Sequence, residues 1–351
     1  MTNVKIAFKF FDDGIPPPPG YKQMHCFIIF DAKMDLTRKA RFVAGGHITN
    51  PLTSMTYASV VSRESVRIAF LLAALNNLEI VAGDIGNTYL NAMTTENICY
   101  RAGNEWGPMI KGRVLAIVRA IYDFKTSANA WRIHFCITLQ SKMKFKSSLT
   151  DNDVWLKQDM MSNGSSYYTY ILVYTDDILI VSHNPTTYMA QLKANYYVKE
   201  SSIGPPNIYL GSRVKLVKDR SGDRAYADTS DDYIKKTSKV IEQRMKELFP
   251  NFTKSAKASQ NPFSNVKYCP ELNVTEFFSE EEHQFYHQMT GILRWTIEIG
   301  RIDICTEISL MSRYLAEPRT GHLVQVLHIF SFLKYNQCMD ICYDPTKLNI
   351  T

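Results

Sequence analysis

Apolar positions cluster most densely between 167 and 181. Tyr167-Tyr168-Thr169-Tyr170-Ile171-Leu172-Val173 is aromatic and β-branched, and the pattern resumes as Ile178-Leu179-Ile180-Val181 beyond Tyr174-Thr175-Asp176-Asp177. Such composition predicts two strands. Another short buried strand is predicted at 78–85, with Asp84 at its end. It follows a helix over 62–75, where Val66, Ala69, Phe70, Ala73 and Ala74 share a face and Asn76-Asn77 is the stop. A second helix is expected over 131–142, with Ile133, Cys136, Ile137 and Leu139 as its apolar positions. Residues 24–30 and 41–44 suit a hairpin. Two helices packed on one face of an antiparallel sheet that carries three carboxylates define an α+β class.

Thr229-Ser230-Asp231-Asp232 supply cap residues and first-turn acids for a further helix. Within it Ile234, Thr237, Ile241, Met245 and Leu248 point one way, and Lys235, Lys239 and Lys246 line another. From Phe277 onward, Trp295, Ile304, Leu310 and Tyr314 indicate a helical region. Gly14-Ile15-Pro16-Pro17-Pro18-Pro19-Gly20 cannot be helical and reads as a stiff spacer.

Composition narrows the class. A chain of 351 residues with 45% hydrophobic and 21% charged residues buries a sizeable core and is not disordered. A net charge of +6 and a pI near 8.8 suit a polyanionic partner without requiring one. No run reaches the ~18 apolar residues of a membrane span, and the first residues lack a secretory pattern. Seven scattered cysteines read as reduced, structural thiols of a cytoplasmic or nuclear protein. Cys338 and Cys342 lack a second ligand pair in zinc-site order. His283 and His287, four apart on a predicted helix, read as a surface or packing pair.

The chemistry concentrates on carboxylates. Asp176 and Asp177 lie between two apolar strands, so they either face water at a hairpin tip or hold a cation. No glycine stands beside them to supply the positive φ of a tight turn, which weakens the reading as a plain solvated tip. Asp84 is either an N-cap or a third acid of the same site. Metal-assisted nucleotidyl transfer needs carboxylates from separate strand ends to converge.

Taken in order, these segments resemble the reverse transcriptase domain of copia-type LTR retrotransposons over nearly the whole chain. Lys39-Ala40-Arg41-Phe42-Val43-Ala44-Gly45-Gly46-His47 is similar to the family's fingers segment, and Thr56-Tyr57-Ala58-Ser59-Val60-Val61-Ser62 to the lead-in of its first catalytic strand. Asp84-Ile85-Gly86-Asn87-Thr88-Tyr89-Leu90-Asn91-Ala92 resembles the motif of the first metal-binding aspartate. Tyr174-Thr175-Asp176-Asp177 resembles the Tyr-Val-Asp-Asp box, with Thr175 in place of Val. Tyr209-Leu210-Gly211 resembles the hairpin that grips the primer end; Gly291-Ile292-Leu293-Arg294-Trp295 and Arg301-Ile302-Asp303-Ile304 resemble the segment after the thumb.

The resemblance implies a right-hand polymerase. Its fingers would be 1–60 and 92–126, its palm 61–91 and 127–216, its thumb 217–270, and 271–351 a helical connection-like segment. It implies RNA-directed addition of deoxynucleotides to a primer on an RNA or DNA template, with two magnesium ions, or manganese in their place, on Asp84, Asp176, Asp177 and the Ile85 carbonyl. Lys39, Arg41, Ile85, Tyr89 and Asp123 would line the nucleotide site. Tyr89 would exclude a ribose 2′-hydroxyl, its alternative being a core tyrosine. Tyr174, Tyr209, Leu210, Gly211, Lys235, Lys239 and Lys246 would face nucleic acid, although the lysine stripe suits a solvated helix face equally well.

Integrase, protease and ribonuclease H domains accompany this one in full elements and are not expected here, so the chain reads as a polyprotein fragment or an isolated genomic copy, sited in a cytoplasmic particle or the nucleus. One segment departs from the family. Arg119-Ala120-Ile121-Tyr122-Asp123-Phe124-Lys125-Thr126-Ser127-Ala128 resembles its Leu-Tyr-Gly-Leu-Lys run, with Asp123 where glycine stands and Ala128 where Pro or Gly is usual. An active polymerase, a decayed remnant that still binds nucleic acid, and a host-adopted interaction protein all remain open.

Overall fold

The computed structural model describes residues 7–11, 16–32, 38–45, 56–248, 260–263, 268–337 and 339–347. The expectations for Gly14, Ile15, Gly46, His47 and Cys338 fall outside them. The chain divides into two compact units, one of Met1–Ala69 with Leu78–Pro205, the other of Phe70–Asn77 with Pro206–Thr351.

In chain order the first part contains β1 (Phe8–Phe10), β2 (Lys22–Met24), β3 (Cys26–Ala32), β4 (Arg38–Ala44), α1 (Arg63–Leu75), β5 (Glu79–Asp84), β6 (Met93–Arg101), β7 (Val114–Arg119) and α2 (Ser127–Ile137). Then come β8 (Lys146–Ser147), β9 (Val154–Met160), β10 (Ser166–Tyr174), β11 (Asp177–Ser182) and α3 (Pro185–Asn195). Within the first unit, β3 and β4 form the anticipated hairpin, and a four-stranded sheet runs β1-β7-β6-β2. The central element is an antiparallel sheet in the order β5-β11-β10-β9-β8.

That sheet explains the densest apolar stretch. Ile171, Leu172, Leu179, Ile180 and Val181 are fully buried, as continuous apolar strands require when both faces are covered. One face packs Ile171, Val173, Ile178 and Ile180 against Trp131, Phe135 and Leu139 of α2 and its continuation, and against Tyr188, Met189 and Leu192 of α3. Residue spacing misjudged α2. Ile133 and Ile137, read among its apolar positions, are half exposed, whereas Leu139 is buried as expected, in a stripe with Trp131 and Phe135. A π-helical turn at Thr138–Lys142 ends the helix. In α3, Asn184 caps the helix by accepting from Thr187 N–H, and Pro185 opens it.

The second unit contains β12 (Ile208–Tyr209), β13 (Ser212–Lys218), β14 (Arg224–Thr229), α4 (Asp231–Leu248), α5 (Glu280–Glu298), α6 (Cys305–Met311), α7 (Thr320–Tyr335) and β15 (Asp340–Tyr343). Its sheet runs β12-β13-β14-β15, so the region expected to be helical to the end closes with a strand paired to β14. Ile234 and Ile241 of α4 join the helical core, with Met245 and Leu248 beside it, while Lys235, Lys239 and Lys246 are exposed on the other side. Among the described residues no helix is long and apolar enough to cross a membrane, and the six described cysteines form no disulfide.

Candidate active site

The carboxylates meet because of strand register. β11 pairs antiparallel with β5 so that Asp177 lies directly opposite Asp84. Across the hairpin, Tyr174 pairs with Asp177, leaving Thr175 and Asp176 as a two-residue loop. Thr175 takes a φ of 56°, the left-handed conformation a tight turn needs, without a glycine. The pair therefore does sit at a hairpin tip, but the tip is held by the protein. Trp131 Nε1–H donates to the Thr175 carbonyl at 2.8 Å, and Ile85 N–H donates to the Asp176 carbonyl at 2.9 Å.

Electrostatics register the crowding. Burial pushes the Asp177 carboxyl up to about 6, aided by the charges of Asp176 and Asp84 and opposed by Lys199. Asp176 is raised for the same first reason, with Asp84 adding to the effect and Lys199 and Lys39 countering it. Lys199 Nζ donates to Asp84 Oδ2 at 2.5 Å, whereas Asp84 Oδ1 is buried and has no hydrogen-bond partner in the protein. An orphaned carboxylate oxygen facing two further acids suits a divalent cation. Among the described residues no three His, Cys, Asp or Glu side chains close into a metal cage.

Tyr89, Lys39, Arg41 and Ile85 gather nearby. Tyr89 stands in the short turn after β5, half-buried, with its ring edge-on to Tyr122 at 5.1 Å. Burial raises the Tyr89 hydroxyl, and Tyr122 and Asp176 add to it. Burial also raises Tyr122, which feels Asp176, Arg41, Lys199 and Asp84, so β4 and this turn share one electrostatic neighbourhood. Lys39 and Arg41 project from β4, and Arg41 pairs at 3.5 Å with Asp31 on the adjoining strand. The Ile85 carbonyl accepts from Thr88 Oγ1 at 2.6 Å, leaving it one lone pair for another ligand. Asp123 is exposed on the turn after β7 with a φ of 73°, a conformation glycine adopts freely.

The remaining candidates lie in the second unit. Tyr209, Leu210 and Gly211 form the β12–β13 hairpin, with φ of 46° at Leu210 and 88° at Gly211, both positive as in a tight primed turn. Tyr209 is buried, and a Cβ on Gly211 would stand 3.3 Å from the Trp295 ring.

Three positions escaped sequence reasoning. Lys199 contacts Asp84 from 115 residues away, beyond any local pattern. Trp131 was placed on a helix but not against the hairpin. Gly86 is required by Tyr197, since a Cβ there would approach the ring to 2.5 Å; only the glycine itself was visible as a signal.

A sequence profile of the reverse transcriptase (RNA-dependent DNA polymerase) family matches residues 18–244, and the chain belongs to that family. Its relatives include the retrovirus-related Pol polyprotein from transposon TNT 1-94 of Nicotiana tabacum, 25% identical over 345 residues, covering 93% of this chain and 24% of that protein. The corresponding polyprotein from transposon RE1 of Arabidopsis thaliana is 25% identical, covering 92% of this chain and 21% of its own length. The putative transposon Ty5-1 protein of Saccharomyces cerevisiae is 26% identical over 74% of this chain and 78% of its own. The chain thus spans about a quarter or less of the first two relatives. These relatives bear out the resemblance to copia-type polyproteins. The protease–reverse transcriptase of prototype foamy virus is similar at 13% identity and a TM-score of 0.26, over 65% of this chain and 28% of that one, too slight a likeness to bear on the fold.

Proposed function

We propose that this chain is an RNA-directed DNA polymerase, adding deoxynucleotides to a primer 3′ end by two-metal-ion nucleotidyl transfer. The observation that carries the reading is the register of Asp84 opposite Asp177, with Asp176 on the adjoining loop. Asp84, Asp176 and Asp177 would hold the ions, with the Ile85 carbonyl as a further ligand. Magnesium held by these residues would supply activation of the primer hydroxyl and charge neutralisation for the departing pyrophosphate. Lys39 and Arg41 supply cationic contacts for the triphosphate, and Arg41 must exchange Asp31 for phosphate to do so. Lys199 orients Asp84 through the contact to its Oδ2. Tyr89, braced by Tyr122, forms the floor against which a 2′-hydroxyl would collide.

The fingers, palm, thumb and connection boundaries given above belong to this reading. So do the primer-grip role of Tyr209, Leu210 and Gly211, the template contacts of Tyr174, and the phosphate contacts of Lys235, Lys239 and Lys246. The substrates would be deoxynucleoside triphosphates and a primed RNA or DNA template, within a larger polyprotein product. Primer extension on poly-rA with oligo-dT, with and without magnesium, tests it. Metal-dependent extension supports the polymerase, and a purified, folded chain that binds the duplex but never extends it overturns it. That second outcome is a silent remnant, a reading favoured by one observation, the exposed carboxylate at φ 73° where the family keeps glycine.

A further inference from the structure

His283 and His287 lie one turn apart on α5, far along the chain from the three carboxylates. Their Nε2 atoms are 3.1 Å apart, and both approach the Leu315 carbonyl oxygen, at 2.5 Å from His283 and 2.7 Å from His287. This triangle cannot be satisfied by protons. The carbonyl only accepts, so each imidazole must donate to it, and the contact between the two nitrogens then sets donor against donor. If either imidazole instead presents its lone pair to the other, that same lone pair faces the carbonyl oxygen at hydrogen-bond distance. Every assignment leaves one of the three contacts repulsive.

A cation removes the conflict, because all three atoms then offer lone pairs to one centre. We propose that His283 Nε2, His287 Nε2 and the Leu315 carbonyl form a binding site for a divalent late first-row transition metal of the nickel, copper or zinc class. Histidines at i and i+4 on one helix face are a recognised chelating arrangement. With metal–nitrogen bonds of about 2.1 Å, a 3.1 Å separation subtends roughly 95° at the metal, suited to tetragonal nitrogen–oxygen coordination. His283 is half-buried and His287 exposed, so the remaining positions open to water. The metal would fasten α5 to the backbone just after the Ser312–Tyr314 turn. Magnesium, which prefers oxygen ligands, would not substitute.

The test uses the untagged full chain with nickel chloride, read by titration calorimetry and thermal melting beside magnesium chloride. The expected result is one nickel site whose occupancy raises the Tm by about 2 °C or more at a hundredfold excess over Kd, with no response to magnesium at that site. His287→Ala and His283→Ala should each weaken nickel binding at least tenfold while the apo-protein keeps its wild-type circular dichroism. Six other histidines in the chain provide an internal control. Nickel affinity unchanged in both variants would assign the metal to those histidines and overturn the site, as would absence of any nickel heat or Tm shift in the wild type.

Discussion

Lys199 Nζ stands 2.5 Å from Asp84 Oδ2, while the other oxygen of the same carboxylate is buried without a partner. The ammonium thus offsets one of three crowded negative charges and leaves Asp84 half coordinated. With the Lys199 side chain 44% exposed and that of Asp84 25%, the pair contributes at most about 1 kcal/mol to stability. Its effect is local, fixing the direction of the Asp84 carboxylate.

Asp84→Asn and Asp176→Asn should each abolish metal-dependent extension while template-primer affinity changes by only a few-fold. The carboxylates serve the ions, and duplex affinity comes mainly from basic phosphate contacts. Removing either acid also lowers like-charge repulsion, so stability should stay within about 1 kcal/mol of wild type. Near-wild-type extension by either variant would refute the two-metal assignment.

Tyr89→Ala should admit ribonucleotides, lowering sugar discrimination in relative kcat/KM by at least tenfold, about 1.4 kcal/mol. Tyr122 lies edge-on to Tyr89, so the variant also loses an aromatic contact of about 1 kcal/mol and should melt earlier. Discrimination unchanged in an active variant would make Tyr89 a packing residue alone.

Acid sensitivity should trace in part to His322. This ring is buried; its Nδ1 accepts from Arg319 N–H at 3.1 Å and its Nε2 lies 3.1 Å from the Pro270 carbonyl. Protonating Nδ1 would forfeit the first bond. Burial lowers the His322 pKa from 6.5, so the folded chain holds it neutral where the unfolded chain takes up a proton. The unfolded state then binds more protons, and stability is lost as pH falls below about 6.5. His322→Gln can make both bonds without titrating, so the Tm decline between about pH 7 and 5.5 should be shallower in the variant. Parallel Tm curves for the two proteins would exclude the histidine as a cause.

Much of the site was readable because strands impose order on neighbours. A β-branched run on each side of Asp176 and Asp177 marked two strands, although the missing glycine counted against the hairpin tip that the structure shows. An acid at the end of a separate buried strand could reach them by pairing. The partners of those acids were not readable. Lys199 and Trp131 contact the site through tertiary packing that leaves no period in the chain. Helix faces were legible where one apolar stripe dominated, as in α4, and misplaced in α2, where Ile133 and Ile137 compete with Trp131 and Phe135. Four residues of β15 carry too little pattern to separate a strand from a helical tail.

Asp123→Gly should stabilise the fold by about 0.5–1 kcal/mol. At a φ of 73° the Asp side chain is strained, and relief of that strain outweighs the greater unfolded-state entropy of glycine. Asp123 is exposed and is not among the charges that shift Asp176 or Asp177. Its repulsion of a triphosphate is therefore screened, and the nucleotide KM should fall about tenfold at low salt and less at high salt. Equal KM values at low salt would separate Asp123 from the nucleotide altogether.

Thr175→Gly should trade activity for stability. A β-branched residue at a φ of 56° is strained by about 1–2 kcal/mol, tolerated because Trp131 grips the Thr175 carbonyl and Ile85 grips that of Asp176. Glycine removes the strain but frees the loop in the unfolded and native states alike, so net stability should rise by only about 0.5–1 kcal/mol. The same freedom lets Asp176 leave the direction in which the hairpin holds it. Extension should then lose about tenfold in kcat, with template-primer binding unaffected and a higher magnesium requirement. Trp131→Phe keeps the ring's packing and deletes only the hydrogen bond, so it should lose kcat in the same way while destabilising by about 1 kcal/mol. Melting curves with magnesium-dependent rates for both variants would decide the matter. If Thr175→Gly gained stability and kept full kcat, the strained loop would have no role in orienting Asp176.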